Sequence, residues 1–193
     1  MKRNIAVVVL AAGSSSRMGE PKQLLPLAST TLLRRIVDQA LVSDAKMTIV
    51  VLGAHGSAIR RELDALPISI IENVRWSGGI GTSIAAGIKA AGDSDAAVII
   101  TCDQPHVSAA TINRLIAEHD STGKPIIASA YSNTLGVPAF FAREFFARLQ
   151  QLPADEGAKR LFHQHRASVA TIDFAEGAFD LDTRADYDRF LHR

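Results

Sequence analysis

Between Leu10 and Lys22 the chain reads Leu10-Ala11-Ala12-Gly13-Ser14-Ser15-Ser16-Arg17-Met18-Gly19-Glu20-Pro21-Lys22, a run of small residues and hydroxyls carrying two cations. Small side chains let backbone N–H groups approach an anion, hydroxyls add donors, and Arg17 and Lys22 add positive charge. This is phosphate-binding chemistry. Two familiar phosphate loops do not fit. The dinucleotide fingerprint needs glycine where Ser15 stands and a helix directly behind it. The P-loop needs Gly-Lys-Ser/Thr contiguous, whereas Lys22 lies three residues past Gly19. A solvated connector of turn residues is the alternative; the two cations set among small residues favour the anion site.

Asp103 closes the apolar run Val98 to Cys102 and so places a carboxylate at the carboxyl end of a strand. Magnesium takes such oxygen ligands, with one or two carboxylates completed by phosphate oxygens and water. The competing role is a helix cap, since Pro105 follows closely. In Asn73 to Ser83, Gly78, Gly79 and Gly81 permit close backbone approach to a ligand, and Thr82 and Ser83 are candidate caps for the helix behind them. Trp76 either walls that site or anchors the core. Cys102 reads as a small buried hydrophobe. His163 and His165 would point roughly 200° apart on a helix and cannot share a metal. His106 lies beside the proposed crevice. The pairs Arg34-Arg35 and Arg60-Arg61 read as solvated helix faces.

The string LAAGSSSRMGEPKQLLPL closely resembles the signature of the molybdenum cofactor nucleotidyltransferases, and within them the cytidylyltransferase branch that links CMP to molybdopterin. The resemblance continues through Asn73 to Ser83, Asp103-Gln104-Pro105, Gly136-Val137-Pro138, Asp155-Glu156-Gly157-Ala158 and Asp180-Leu181-Asp182-Thr183, although the family's usual Gly-His-Pro has Val137 at its centre here. It implies that the nucleotide contacts Leu10, Ala11, Ala12, Gly13, Ser14, Ser15, Ser16, Arg17 and Lys22, with base and ribose at Asn73, Gly79, Gly81, Thr82 and Ser83. It implies an acceptor site at Gln104, Pro105, Gly136, Pro138, Asp155 and Gly157. Asp155 to Ala158 would open a helix toward the acceptor's phosphate end. It also implies Mg2+ held by Asp103 and Asp182, the latter favoured over Asp180; a cap of the following helix is the other role open to Asp182.

The implied reaction is in-line attack by the phosphate of molybdopterin on the α-phosphate of CTP, with release of pyrophosphate. Arg17, Lys22 and Asp103 would do the catalytic work through positioning and charge neutralisation. CTP rather than GTP follows from Ala12, where guanylyl-transferring relatives typically carry a second glycine. Molybdenum hydroxylases are the implied transient partners. A sugar- or alditol-phosphate nucleotidyltransferase is one alternative, and a non-catalytic insertion factor carrying the cofactor to a hydroxylase is another.

The elements that must hold these residues are strands and helices in alternation. Nearly continuous apolar runs at Ile5 to Leu10, Met47 to Leu52, Ile68 to Ile71, Ala97 to Cys102 and Pro125 to Ala130 suit strands buried on both faces. Helical spacing marks Thr31 to Val42, capped by Ser29 or Thr30, then Ala58 to Leu66, Ser83 to Ala91 and Ala109 to His119. Tyr131 to Gly136 reads as a turn into a strand at Val137 to Phe141. Helices at Arg143 to Gln150 and Glu156 to His163, a strand at Ser168 to Ile172 and a helix from Thr183 to Leu191 complete the chain. The expected fold is therefore α/β: a Rossmann-like open, mostly parallel sheet with helices on both faces and a small antiparallel hairpin element.

The whole chain bounds the function. A length of 193 residues with 47% apolar and 21% charged side chains suits one domain with a sizeable core. Twenty-one Lys and Arg against 20 Asp and Glu give a net charge of +1, so no global field draws nucleic acid or anionic lipid, and any anion site is local. One cysteine forms no internal disulfide. The basic, apolar N-terminus MKRNIAVVVLAAG superficially resembles a secretory signal, but it runs straight into the polar loop and no later stretch is long enough to span a bilayer. The expected location is the cytoplasm, with no membrane or nucleic-acid partner.

Overall fold

The computed structural model describes residues 3–192. Met1 and Lys2, part of the signal-like segment, lie outside them. Strands are β1 (Ile5–Ala11), β2 (Pro26–Leu27), β3 (Thr30–Thr31), β4 (Met47–Leu52), β5 (Ser69–Glu72), β6 (Ala96–Thr101), β7 (Ile126–Tyr131), β8 (Thr134–Ala142) and β9 (Val169–Asp173). Helices are α1 (Leu32–Leu41), α2 (Gly56–Arg60), α3 (Ile80–Ala91), α4 (Ala109–Thr122), α5 (Phe146–Gln150), α6 (Lys159–Gln164) and α7 (Arg184–Leu191).

Seven strands form one sheet in the order β5-β4-β1-β6-β8-β7-β9, and β2 with β3 forms a separate two-stranded antiparallel ribbon. Only β8 runs against its neighbours in the large sheet. Every residue of β1 is buried, which is why its sequence shows no polar alternation. Val7 and Val9 pack with Ile36, Val37, Ile112 and Leu115 on one face; Val8 and Leu10 pack with Ile84, Ile88, Leu149 and Phe162 on the other. The chain passes from β1 to β4 and β5 on one side, then to β6 on the other, so strand order reverses at the carboxyl ends of β1 and β6. Open α/β sheets bind ligands at this kind of crevice.

Several local expectations are corrected. Thr31 caps α1, its hydroxyl accepting from Arg34 N, because the preceding residues are engaged in the β2–β3 ribbon; neither Ser29 nor Thr30 is the cap. The turn after β7 is only Ser132-Asn133, both at positive φ, and β8 starts at Thr134 instead of Val137. Two left-handed residues make the tight hairpin whose twist matches the strands, and Asn tolerates that conformation well. Helix α3 starts at Ile80 with Gly79 as its N-cap, so Thr82 and Ser83 lie inside its first turn and do not cap it. Helix α6 starts at Lys159, not Glu156, and no side chain caps it; the preceding residues form a turn in which Glu156 N donates to Pro153 O. The second expected helix stops at Arg60, and a 3-10 turn, Arg61–Leu63, continues it.

Helix α3 lies very close to the sheet, and Gly87 makes that possible. A Cβ there would stand 2.3 Å from Val8 Cγ1 and 3.0 Å from Val51 Cγ2. Gly87→Ala should gain a little helix propensity and lose more to overpacking, a net cost of about 1–3 kcal/mol. Urea unfolding should show a lower midpoint at unchanged slope; an unchanged midpoint would mean that α3 is free to lift off the sheet.

Candidate nucleotide site

The loop after β1 is held by its own polar groups. Ser15 takes positive φ, its carbonyl accepts from Met18 N at 2.9 Å, and its hydroxyl accepts from Lys22 N at 3.0 Å. Gln23, fully buried, donates through Nε2 to Ala11 O at 3.0 Å and Gly13 O at 2.9 Å. A buried amide survives only with such partners, and these bonds fix the path of Gly13. Gln23 has a structural role that the sequence reading did not assign. Its signal was one polar residue against the apolar pair Leu24-Leu25.

Three distant segments meet at the loop's mouth. Lys22 Nζ donates to Asp103 Oδ2 at 2.8 Å and to Asp182 Oδ1 at 3.0 Å, while Arg17 Nη2 donates to Asp182 Oδ2 at 2.9 Å. Leu181 N donates to Asp103 O at 2.9 Å, which ties the late acidic segment to the end of β6. Burial alone would lower the Lys22 pKa, but Asp103 outweighs it and the ammonium is held above its ordinary range. Burial, then the charges of Asp103 and Asp182, pushes the Asp180 carboxyl up to about 6. Neither Asp103 nor Asp182 serves as a helix cap: Ser108 caps α4, and Thr183 with Asp186 forms a capping box on α7.

A cavity of about 330 Å³ opens beside this cluster. Of the expected nucleotide contacts, Leu10, Ala12, Gly13, Ser14, Lys22, Gly79 and Ser83 line it, together with Asp103. Trp76, Ser77 and Ile80 form the opposite wall, so half-buried Trp76 is a wall of the cavity. Ala11 is in the core, and Arg17 is exposed at the mouth. Asn73 is buried and spends its amide on Thr82 Oγ1 at 2.9 Å and Ser83 Oγ at 3.0 Å, so it braces the α3 turn from behind. Gly81 also stands behind the wall. A Cβ on it would lie 2.1 Å from Pro153 O, so the chain itself occupies the close approach that Gly81 allows.

None of the six residues expected to bind the acceptor lines this cavity. Gln104 is buried, donating to Gly177 O at 2.9 Å, and Pro105 O accepts from Arg35 Nε at 3.3 Å. Gly136 packs against the Tyr131 ring, and Pro138 O accepts from Ser129 Oγ at 2.7 Å. Asp155 and Gly157 belong to the turn behind Gly79 and Ile80, not to a helix start. His106 packs against Phe179 and Phe190. Cys102 is buried in the cavity floor, its thiol pushed up to about 12 mainly by burial, and is chemically quiet.

Among the described residues no group of three or more His, Cys, Asp and Glu side chains is arranged around a metal position. Asp103 and Asp182 nevertheless aim one oxygen each at the same cation, the Lys22 ammonium. Two carboxylate oxygens fit a hard divalent ion whose remaining ligands are phosphate and water. Among the described residues no helix is long and apolar enough to cross a membrane.

A doubly covered, mostly parallel sheet with a cationic small-residue loop and two carboxylates at its switch point defines a nucleotide-handling protein of the nucleotidyltransferase fold. The chain belongs to the family described as MobA-like NTP transferase domain, which it matches over residues 7–169. It is similar to the nicotine blue oxidoreductase of Paenarthrobacter nicotinovorans, at 36% identity over 127 residues, covering 65% of this chain and 61% of that one. It is also similar to a probable molybdenum cofactor guanylyltransferase of Bacillus cytotoxicus, at 30% identity over 127 residues, 65% of this chain and 62% of that one. The chain thus spans about three-fifths of these relatives. Rv0371c of Mycobacterium tuberculosis superposes with a TM-score of 0.86 at 31% identity, each chain covered completely. A structure of Rv0371c in complex with manganese superposes at 0.76, covering 98% of each chain at 31% identity.

Lys22→Ala should leave the fold intact and weaken triphosphate binding by about tenfold or more, since a charge-assisted contact is worth roughly 1.5–3 kcal/mol. Calorimetric titration with a nucleoside triphosphate measures it. Equal affinity in the variant would remove Lys22 from the phosphate site.

Proposed function

We propose that this protein transfers CMP from CTP to the phosphate of molybdopterin or the molybdenum cofactor, with release of pyrophosphate. The single observation that carries this reading is the convergence of Arg17, Lys22, Asp103 and Asp182 at the mouth of the Ala12–Ser14 loop, beside a cavity walled by Trp76. The family and its molybdenum cofactor relative supply the substrate class. A soluble interior location and transient contact with molybdenum hydroxylases accord with that chemistry.

The chain's own residues account for the chemistry as follows. Backbone N–H groups of Gly13 to Ser16 receive the triphosphate, and Arg17 and Lys22 neutralise it. Both cations are paired with carboxylates here, so phosphate binding exchanges carboxylate partners for phosphate oxygens. Asp103 and Asp182 would hold Mg2+, whose chemistry is to polarise the α-phosphate and balance charge on the leaving pyrophosphate. Positioning and charge stabilisation suffice, and no side chain need form a covalent bond. An insertion factor that only carries the cofactor would have no use for this pair of carboxylates.

Asp103→Asn and Asp182→Asn should each reduce metal-dependent turnover to background while acceptor binding survives, because each removes one charge from a two-charge site. Near-normal rates across a magnesium titration would remove that residue from the metal site.

Ala12 supports the pyrimidine base. It is buried, lines the cavity and has its carbonyl fixed by Ala54 N at 3.0 Å, so its methyl group cannot retreat. A methyl in the floor favours the smaller ring, worth about 10- to 200-fold in specificity. Pyrophosphate release with each nucleoside triphosphate and molybdopterin tests the whole reading: CTP should exceed GTP and ATP in kcat/KM, and Ala12→Gly should narrow the gap. Equal use of GTP would overturn the cytidylyl assignment, and turnover only with a sugar- or alditol-phosphate acceptor would overturn the molybdopterin one.

A further inference from the structure

The nucleotide cavity is not the largest concavity of the molecule. A groove of about 600 Å³ runs along the edge strand β9 between the β7–β8 hairpin and α6, and it shares no lining residue with the cavity. Its volume falls within the range that holds a drug-sized ligand, about 300–1,000 Å³. Buried Phe162, stacked on Phe141 with the rings 5.8 Å apart, gives it an aromatic base beside Leu135. Its rim is charged, carrying Arg166 and His163 with Asp173. Among the described residues neither the Arg166 guanidinium nor the Asp173 carboxylate has an ion-pair partner, so both are available to a ligand.

Tyr131 connects this groove to the reaction centre. It lines the groove, its hydroxyl donates to Val137 O at 3.2 Å, and its phenol pKa is raised by burial and by the charges of Asp180 and Asp103. Gln104, next in the chain to Asp103, donates to Gly177 O at 2.9 Å, and Gly177 packs against the Tyr131 ring, so Tyr131 is linked by direct contacts to the segment that carries Asp103. A ligand whose phosphate reaches Asp103 and Lys22 must extend away from the Ala12 and Trp76 wall, which the nucleotide fills. Tyr131 and the groove beyond it lie on the β8 and β7 side of Asp103, away from that wall.

We infer that this groove receives the body of the acceptor, a planar heteroaromatic ring system bearing anionic substituents, while its phosphate lies at the carboxylate cluster. This rests on the molybdopterin reading above and adds a site to it. Phe162 and Leu135 offer an apolar base to the ring. Arg166 and His163 meet its oxyanions, and Asp173 accepts from the N–H edge of an aminopyrimidinone ring, the kind of planar pairing that carboxylates make well.

Two variants of the full chain test it. Arg166→Glu reverses the rim charge, and Thr171→Trp places an indole in the groove from an exposed position on β9, where aromatic residues suit a strand. Both should raise the KM for molybdopterin about tenfold or more. The calorimetric affinity for CTP and the melting temperature should stay close to wild type, and direct calorimetric binding of molybdopterin should weaken in parallel. Nucleotide transfer with an unaltered molybdopterin KM in both variants would overturn the groove assignment and leave the proposed reaction standing. Molybdopterin binding that Thr171→Trp abolishes, in a wild-type protein that releases no pyrophosphate from any triphosphate, would support the groove and overturn the reaction.

Discussion

The Lys22 ammonium, shared between Asp103 and Asp182, is the contact around which the site is organised. It draws together the loop after β1, the end of β6 and the segment before α7, which lie 81 and 160 residues from Lys22 along the chain. One cation between two carboxylates is a stable arrangement, and it is also an exchangeable one. In the proposed reaction Asp103 and Asp182 would hold a divalent ion and Lys22 would turn to a phosphate oxygen. Its partial burial makes the balance matter, since an unpaired charge there would carry a desolvation cost that surface charges escape.

What keeps that contact in place is largely apolar. Met18 of the loop, Leu25 and Leu32 beyond it, and Leu181 and Tyr187 near the C-terminus form a small buried cluster of their own, apart from the two faces of the sheet. Burying such side chains is worth about 1.5–3 kcal/mol each. The Tyr187 hydroxyl donates to Pro26 O, and Arg184 pairs with Glu20 at 3.0 Å, so α7 straps the outer half of the loop after β1. The loop can therefore be rich in small residues without being loose. Gln23 holds it from within, and α7 holds it from without.

The sheet carries two concavities on either side of its switch point. On the β4 side of β1, Trp76 and the first turn of α3 close a compact cavity, braced by Asn73 and pressed against residues 153–156. On the β8 side the β7–β8 hairpin, β9 and the end of the short α6 line the wider groove. Long α3 lies over β1 and β4 on one face of the sheet, whereas β8 meets the short α6 there and α4 covers β7, β8 and β9.

By itself the sequence determined the class of fold and singled out the small-residue, cationic loop after β1 as the candidate phosphate site. Both are local properties: strands buried on both faces must be apolar along their whole length, as β1 is, and a phosphate loop must be built from small residues and cations close together in the chain. The position of Asp103 was legible for the same reason, because it closes the apolar run that forms β6. Local pattern failed where a competing contact decided the conformation. Gly81 reads as a ligand-facing glycine and serves to pass the Pro153 carbonyl, Asp155 reads as a helix start and belongs to a turn, and Ser132-Asn133 shortened the hairpin that Gly136 suggested. Only the tertiary structure decided that Asp182 shares a cation with Asp103, that Gln23 is the buried brace and that the expected acceptor residues lie outside the cavity. These depend on through-space partners far apart in the chain, and hydrogen bonds and ion pairs leave no periodicity in a sequence.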